Sequence, residues 1–438
     1  MAKRFIQGLG VCIALALSLG DGGPAVAQET KIAALKADTK AKPTDAAAAF
    51  ALGRAYRRAG RFAEAKAELA RAAALGKGEA AVKARYELVV AEWESGKTNP
   101  ALPQPPSLAM CKQVKVGKDG EALSKVCAAE AWLTFERTGV AEDELNAAEK
   151  LDGDLYELKL ARAKLAIVKG APDDAITKLE GLTKSTPNRA EAWGLLGHQL
   201  LESGKATQAV APLRKARELD SDWPEPFLDL ARALPSGTEA RDLARLAVAM
   251  RTAWPLAWLR LGQLELDTGG YEASQKAFET SIKQAPKVVA AHAGLAFALV
   301  KQKKFADARK AAVEAIGIAA NHAGARLAHG EALAGLGEVD EAVEQFKFAN
   351  GLDNKDPTGL FRAAEVLLDN KEPMKAAAHA EAAAKTFPDD ARAWVIKGDC
   401  DLANGDKKDA KDAYKRALSA PKGTIDKAAV QKKLDAIK

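Results

Sequence analysis

The chain has 438 residues, 48% of them hydrophobic and 28% charged, and its net charge is +6 with Lys and Arg interleaved among Asp and Glu along the whole length. That interleaving describes a solvated surface and not a nucleic-acid footprint. With aromatic residues at 5%, no stacking platform for bases stands out either, so no nucleic acid is expected among its partners. In chain order, Met1 to Arg4 is a short basic start, Phe5 to Gly20 is mostly apolar, and Ala25-Val26-Ala27 before Gln28 is a small-x-small cleavage site. Residues 1–27 therefore read as a signal peptide cut after Ala27. The apolar run is short for a membrane span and no other stretch is long and apolar enough. The expectation is export to the periplasm or secretion with no integral span after cleavage, the alternative being an uncleaved signal that anchors the chain. Lipidation at Cys12 is disfavoured because the apolar stretch continues past it.

Residues 28–45, rich in Lys and Ala with little to bury, are expected to be a loose leader or a frayed helix. A first helical hairpin occupies 46–79, with Leu52, Gly53 and Tyr56 on its first helix, Gly60 at the turn, and Ala65, Leu69 and Ala72 on its second. Residues 80–121 are the least regular part. A helix from Glu79 to about Ser95 places Val82, Tyr86, Val89, Val90 and Trp93 on one side. Pro100, Pro103, Pro105 and Pro106 then break all helix, because proline lacks the amide donor and fixes φ. Ser107 to Gly120 has no clear period: it is a structured insertion for a partner or a worn-down repeat, the latter being preferred.

From 122 to 424 about nine units follow at a spacing near 34 residues. Small residues fall on one register of the first helix, Ala129, Ala163, Gly197, Ala231, Gly262, Ala296, Gly330, Ala364 and Gly398, and on another of the second, Ala175, Ala209, Ala240, Ser274, Ala308, Ala342, Ala376 and Ala410. Leu179, Leu213, Phe278, Phe346 and Tyr414 share a bulky register. Small residues let two backbones approach closely, and bulky ones are expected to fill the space between neighbouring hairpins. The unit at 224–254 is shorter: Pro235 ends its first helix, Thr238 is expected to cap the second, and the local curvature should change there. Residues 425–438 form a C-terminal capping helix, with Thr424 as its expected cap, Ile425, Ala428, Leu434 and Ile437 inward and lysines outward.

These residues resemble the pattern of the tetratricopeptide repeat (TPR) family: an aromatic at Trp193, Trp258 or Trp394, Leu-Gly at Leu196-Gly197 and Leu261-Gly262, and a closing Pro187, Pro286 or Pro388. His292 and Arg326 stand where an aromatic is expected, and Asp401 where Tyr would be. The resemblance implies an all-α fold, a right-handed α-solenoid of helix-turn-helix hairpins behind an N-terminal signal peptide, each hairpin leaning on the next.

Export favours disulfide pairing. Cys111 and Cys127 would close a loop of roughly 16 residues, a constraint on the order of 3 kcal/mol. Cys400 is expected to be an unpaired thiol packed between repeats, and the alternative for all three is a set of buried reduced thiols. No catalytic residue, metal site or cofactor is expected. The five histidines lack the spacing that puts two ligands on one helical face, and acidic pairs such as Asp173-Asp174 and Asp389-Asp390 sit at helix starts, where they suit the dipole.

What the resemblance offers instead is a groove lined by the first helix of each repeat. Its ligand registers project onto Leu160, Lys164 and Ile167; Leu256, Leu259, Gln263 and Leu266; Ala290, Ala293, Phe297 and Val300; Leu327 and Glu331; Phe361, Glu365 and Asp369; and Val395 and Asp399. Arg54, Arg57 and Arg58 would make the first repeat basic. Such a groove, apolar in the middle with carboxylates toward one end, suits a peptide segment or amphipathic helix of another envelope protein. The expected function is a non-enzymatic interaction scaffold of a bacterial cell envelope. The alternative is a periplasmic holdase-like chaperone for exported clients.

Overall fold

The computed structural model describes residues 24–95, 104–105, 107–115 and 117–437, so the body of the expected signal sequence and most of the Pro-rich break lie outside it. Among these residues the backbone forms 24 α-helices and no strand, only an isolated bridge between Asp390 and Lys422. It divides into two compact units, residues 1–260 and 261–438. In the first unit lie α1 (Pro24–Ala41), α2 (Ala46–Arg58), α3 (Phe62–Leu75), α4 (Glu79–Glu94), α5 (Leu108–Cys111), α6 (Gly117–Leu133), α7 (Thr138–Leu151), α8 (Tyr156–Val168), α9 (Pro172–Ser185), α10 (Ala190–Glu202), α11 (Ala206–Leu219), α12 (Glu225–Ala233) and α13 (Thr238–Met250). The boundary falls within α14 (Pro255–Asp267). The second unit continues with α15 (Tyr271–Gln284), α16 (Val289–Lys301), α17 (Phe305–Ile318), α18 (Ala323–Leu336), α19 (Val339–Leu352), α20 (Thr358–Asp369), α21 (Pro373–Thr386), α22 (Ala391–Asn404), α23 (Lys407–Ser419) and α24 (Lys427–Ala436).

Where the small register of the first helix holds Gly, the hairpin is closed by the small-on-bulky match that the repeat period predicts. A Cβ added at Gly197 would lie 2.4 Å from Leu213 Cγ, at Gly330 2.5 Å from Phe346 Cε1, and at Gly398 2.6 Å from Tyr414 Cε1. The bulky residue thus first fills the space inside its own hairpin, not only the space between hairpins. Phe278 does both: its ring meets Gly262 of its own hairpin and Gly294 of the next, at 2.7 and 2.4 Å from the added Cβ positions. Leu213, Phe278, Phe346 and Tyr414 are accordingly among the largest fully buried side chains.

The aromatic register of the first helix has a polar task as well. Trp193, Trp258 and Trp394 each donate their indole N–H to the backbone carbonyl six residues earlier, at Pro187, Thr252 and Pro388 (2.7–2.9 Å). His292 and Arg326, the apparent departures, make the same bond to Pro286 and Ala320. At these five positions a side-chain nitrogen reaches back to satisfy the loop carbonyl, whereas Phe227 and Leu360 on the same register have no N–H to offer.

Several local expectations are corrected. Of the two readings of residues 28–45, a loose leader or a frayed helix, the helix is found: residues 28–41 form most of α1, whose Ile32 is buried with Leu52, Tyr56 and Leu69, and burying such a side chain is worth roughly 2 kcal/mol. The stretch without a period contains α5, a 3₁₀ turn at Lys112–Val114 and the start of α6, which begins at Gly117, ahead of Glu121. Gly237, not Thr238, precedes α13, and Thr238 is its first helical residue. Asp426, not Thr424, caps α24 by accepting from the Ala429 amide (3.0 Å), because the chain is still held to residues 389–391 by Lys422 and turns only afterwards. That shift turns Val430 inward with Ile437 and leaves Ala428 exposed. Cys111 and Cys127 form a disulfide with their Cα atoms 5.4 Å apart, inside the cluster of Val114, Val126 and Leu145. Cys400 is free and buried, its thiol pushed up to about 12 by burial and by Asp401 and Asp399.

Candidate partner-binding surfaces

The projected groove residues separate into three groups by what they touch. Leu160 and Phe361 are core: both are buried, and Phe361 packs with Leu360, Val366 and Leu367 while the Arg392 guanidinium covers its ring at 5.1 Å. Ala293 is buried too. These side chains hold helices together and are corrected from ligand contacts to packing.

A second group is polar and already engaged. Lys164 pairs with Glu130, a buried carboxylate that also accepts from the Tyr86 hydroxyl (2.6 Å). Glu331 and Glu365 do not stand as a free acidic edge, because Arg362 lies between them, donating Nε and Nη2 to Glu331 (2.5 and 2.8 Å) and Nη1 to Glu365 (2.5 Å). Burial works against the charged guanidinium, but those two carboxylates outweigh it and raise its pKa. Asp399 accepts from the Tyr414 hydroxyl and from Lys433, each at 2.7 Å. Asp369, at the end of α20, is exposed.

The third group, apolar apart from Gln263, is partly exposed. Leu256 is 59% exposed on the first turn of α14, and Leu259, Gln263 and Leu266 on the same helix are half-buried. In the second unit Phe297 and Val300 on α16 and Leu327 on α18 are half-buried, the first two packed against Ala296 and Leu299. Ile167, Ala290 and Val395 are likewise half-buried. An exposed leucine alone is ordinary on a protein surface. Leu256 differs in having a second leucine, Leu259, one turn further along the same helix.

Arg54, Arg57 and Arg58, read from the sequence as a basic opening to the groove, are instead tied down within the first unit. Arg57 bonds to Glu94 (2.6 Å) and lies 3.0 Å from Glu87; burial opposes its charge, yet Glu87, Glu94 and Glu225 together raise its pKa. Arg58 bonds to Asp220 (2.9 Å), and Arg54 reaches the same oxygen at 3.5 Å. Burial, with Arg57 beside it, lowers the proton affinity of Arg58. Both Arg57 and Arg58 are 6% exposed, and the Nε of each has no hydrogen-bond partner. Lys31 on α1 pairs with Asp222, and Arg251 donates to the Arg58 carbonyl (3.4 Å) and to Glu225 (2.8 Å). The contacts of Arg54 and Arg58 with Asp220, of Lys31 with Asp222 and of Arg251 with the Arg58 carbonyl span 162 to 193 residues of chain, and no helical period predicts them.

Beside this junction lies a cavity of about 470 Å³ whose lining includes Lys31, Phe50, Arg54, Arg58, Asp220 and Asp222. Among the described residues no cluster of three His, Cys, Asp or Glu side chains could hold a metal, and no helix is long and apolar enough to cross a membrane. The histidines have local roles. His322 caps α18 by accepting from Ala325 N (3.1 Å), and His198 meets Asp229 at 2.9 Å, a bond that raises its pKa against the pull of burial.

A tetratricopeptide repeat family profile matches residues 17–80, 50–98, 160–224, 259–323 and 361–424, together more than half of the chain. The chain belongs to the tetratricopeptide repeat family. Among solved structures it is similar to yeast Tom70, with 15% identity, 94% of this chain and 92% of that one covered and a TM-score of 0.45. A tetratricopeptide repeat protein from Parabacteroides merdae is similar at 17% identity over 64% of this chain and 97% of that one, with a TM-score of 0.39. PilF of Pseudomonas aeruginosa is similar at 19% identity, with 47% and 94% covered and a TM-score of 0.39. No curated protein matches this sequence.

Proposed function

We propose that the chain is a non-enzymatic scaffold of a bacterial cell envelope that binds an apolar-anchored segment of a partner protein. A family built from helical hairpins that mediates protein–protein interaction supports the scaffold. The observation that carries the surface is Leu256, more than half exposed on α14 and followed one turn later by the half-buried Leu259. A partner helix or extended segment with Leu or Phe anchors would remove that apolar area from water, at about 25 cal/mol per Å² before the costs of association. Carboxylates contribute less than the sequence pattern implies, since Glu331, Glu365 and Asp399 are engaged by Arg362 and Lys433.

The export reading rests on the basic start, the apolar run and Ala25-Val26-Ala27. Cleavage after Ala27 would remove the first four residues of α1 and leave Ile32 and its contacts in place. The test replaces Leu256 and Leu259 by Asp and captures partners from cell-envelope extract by crosslinking. A defined protein retained by the parent and lost by the variant is the expected result. An unchanged set sinks the surface, and a broad set of unfolded clients favours a holdase instead. A mature mass that does not begin at Gln28, or recovery in the cytosolic fraction, removes the export reading.

A further inference from the structure

We propose that the basic edge of the first repeat, formed by Lys31, Arg54 and Arg58, is a docking surface for an acidic peptide segment, and that the chain's own Asp220-Ser221-Asp222 loop occupies it as an internal stand-in. The loop is seated as a ligand would be. Asp222 takes Lys31, and a single oxygen of Asp220 serves both Arg54 and Arg58. The next residue, Trp223, lays its ring 4.9 Å from the Arg58 guanidinium, and its far edge lies 2.2 Å from where a Cβ on Gly194 would be. Two carboxylates flanking a serine and followed by an indole are thus read by ion pairing and by stacking, the contacts that recognise acidic peptides.

The seat is incompletely filled. The cavity of about 470 Å³ opens between these same side chains, with Phe50 as an apolar wall, and Arg58 keeps a buried N–H without a partner. One carboxylate oxygen of Asp220 is shared by two guanidinium groups, and the other carboxylate near Arg54, Glu87, stands off at 3.8 Å. The outer pairs are also weak: Lys31 and Asp222 have 45% and 39% exposed side chains, and pairs of that kind contribute little in water. What holds the loop is its attachment, since a tethered ligand competes at an effective concentration in the millimolar range. A partner carrying a longer acidic stretch would gain the two aspartate positions and the empty cavity together. This surface lies in the first unit and does not use Leu256, so its fate is separable from that of the apolar surface.

The probe is a fluorescein-labelled peptide reproducing residues 218–225, Glu-Leu-Asp-Ser-Asp-Trp-Pro-Glu, titrated against the full chain at low salt with anisotropy as the readout. The Asp220→Asn, Asp222→Asn double variant is expected to bind it at least tenfold more tightly than the parent. Adding Arg54→Ala is expected to reverse that gain, and a peptide with Asn at both Asp positions is expected not to bind. A double variant of unchanged helix content that binds no tighter than the parent overturns the proposal, as does equal binding of the Asn peptide. Should the double variant lose helix content, Asp222→Asn alone, which touches only the exposed Lys31 pair, carries the same test with about threefold expected, and no gain there overturns it.

Discussion

The two units are made from the same hairpin and held together in different ways. In the second, ion pairs join neighbouring repeats, as in Arg309 with Glu338, Arg362 with Glu331 and Lys433 with Asp399, alongside aromatic rings pressed on glycines. In the first, the same nearest-neighbour packing is supplemented by contacts that tie α1 and α2 to residues 220–251. A stack with nearest-neighbour terms alone unravels from wherever it is weakest. A stack whose ends are also joined must break that junction before its first repeat can open, and the joint is electrostatic, with Arg57 and Arg58 buried among Glu87, Glu94 and Asp220.

Breaking the second unit locally should give the largest effect. Phe346→Ala removes a fully buried ring and is expected to cost about 3–5 kcal/mol. By hydrogen exchange, protection should fall in α18 to α20 while α2 to α4 keep theirs, and an equal loss in both units would refute the nearest-neighbour picture. Cys111→Ser with Cys127→Ser should follow at on the order of 3 kcal/mol, measured by denaturant unfolding with and without reductant. Indistinguishable midpoints would remove the staple's role in the first unit.

Smaller shifts sharpen the comparison. Raising salt from about 0.05 M to about 1 M should weaken the exposed part of the α1 junction by ~1 kcal/mol, read as faster exchange in α1 with little change in α21 to α23. The reverse pattern would place the salt-sensitive joint elsewhere. The smallest effect is that of His198. Its folded pKa is raised above 6.5 chiefly by the bond to Asp229, so its stabilisation is full below 6.5 and is lost as pH rises through the folded value. Asp229→Asn should flatten stability between pH 6 and 8, and an unaltered profile would show that the pair contributes nothing.

The repeat was legible because packing writes it into composition: Gly262, Gly330 and Gly398 must be small wherever Phe278, Phe346 and Tyr414 press on them. The Cys111–Cys127 disulfide was legible from the spacing of the two cysteines taken with the expectation of export. The candidate site was not, for two physical reasons. Registers say which helix a residue sits on but not what a long side chain reaches, so Glu331 and Glu365 read as an open edge until Arg362 is placed between them. And a period of one hairpin is blind to contacts spanning five, so Arg54 and Arg58 carried no sign of Asp220. Leu160 and Phe361 differ again: a register projected to face a groove is buried in the core in these two repeats.

Phe278 sits with one side on Gly262 and the other on Gly294. For anyone recombining these modules, the transferable part is therefore not a hairpin but a hairpin and a half, ring plus both of its glycine seats. Chimeras cut in the loop between α15 and α16 divide a ball from its socket, whereas cuts after Gly294 keep the two halves together.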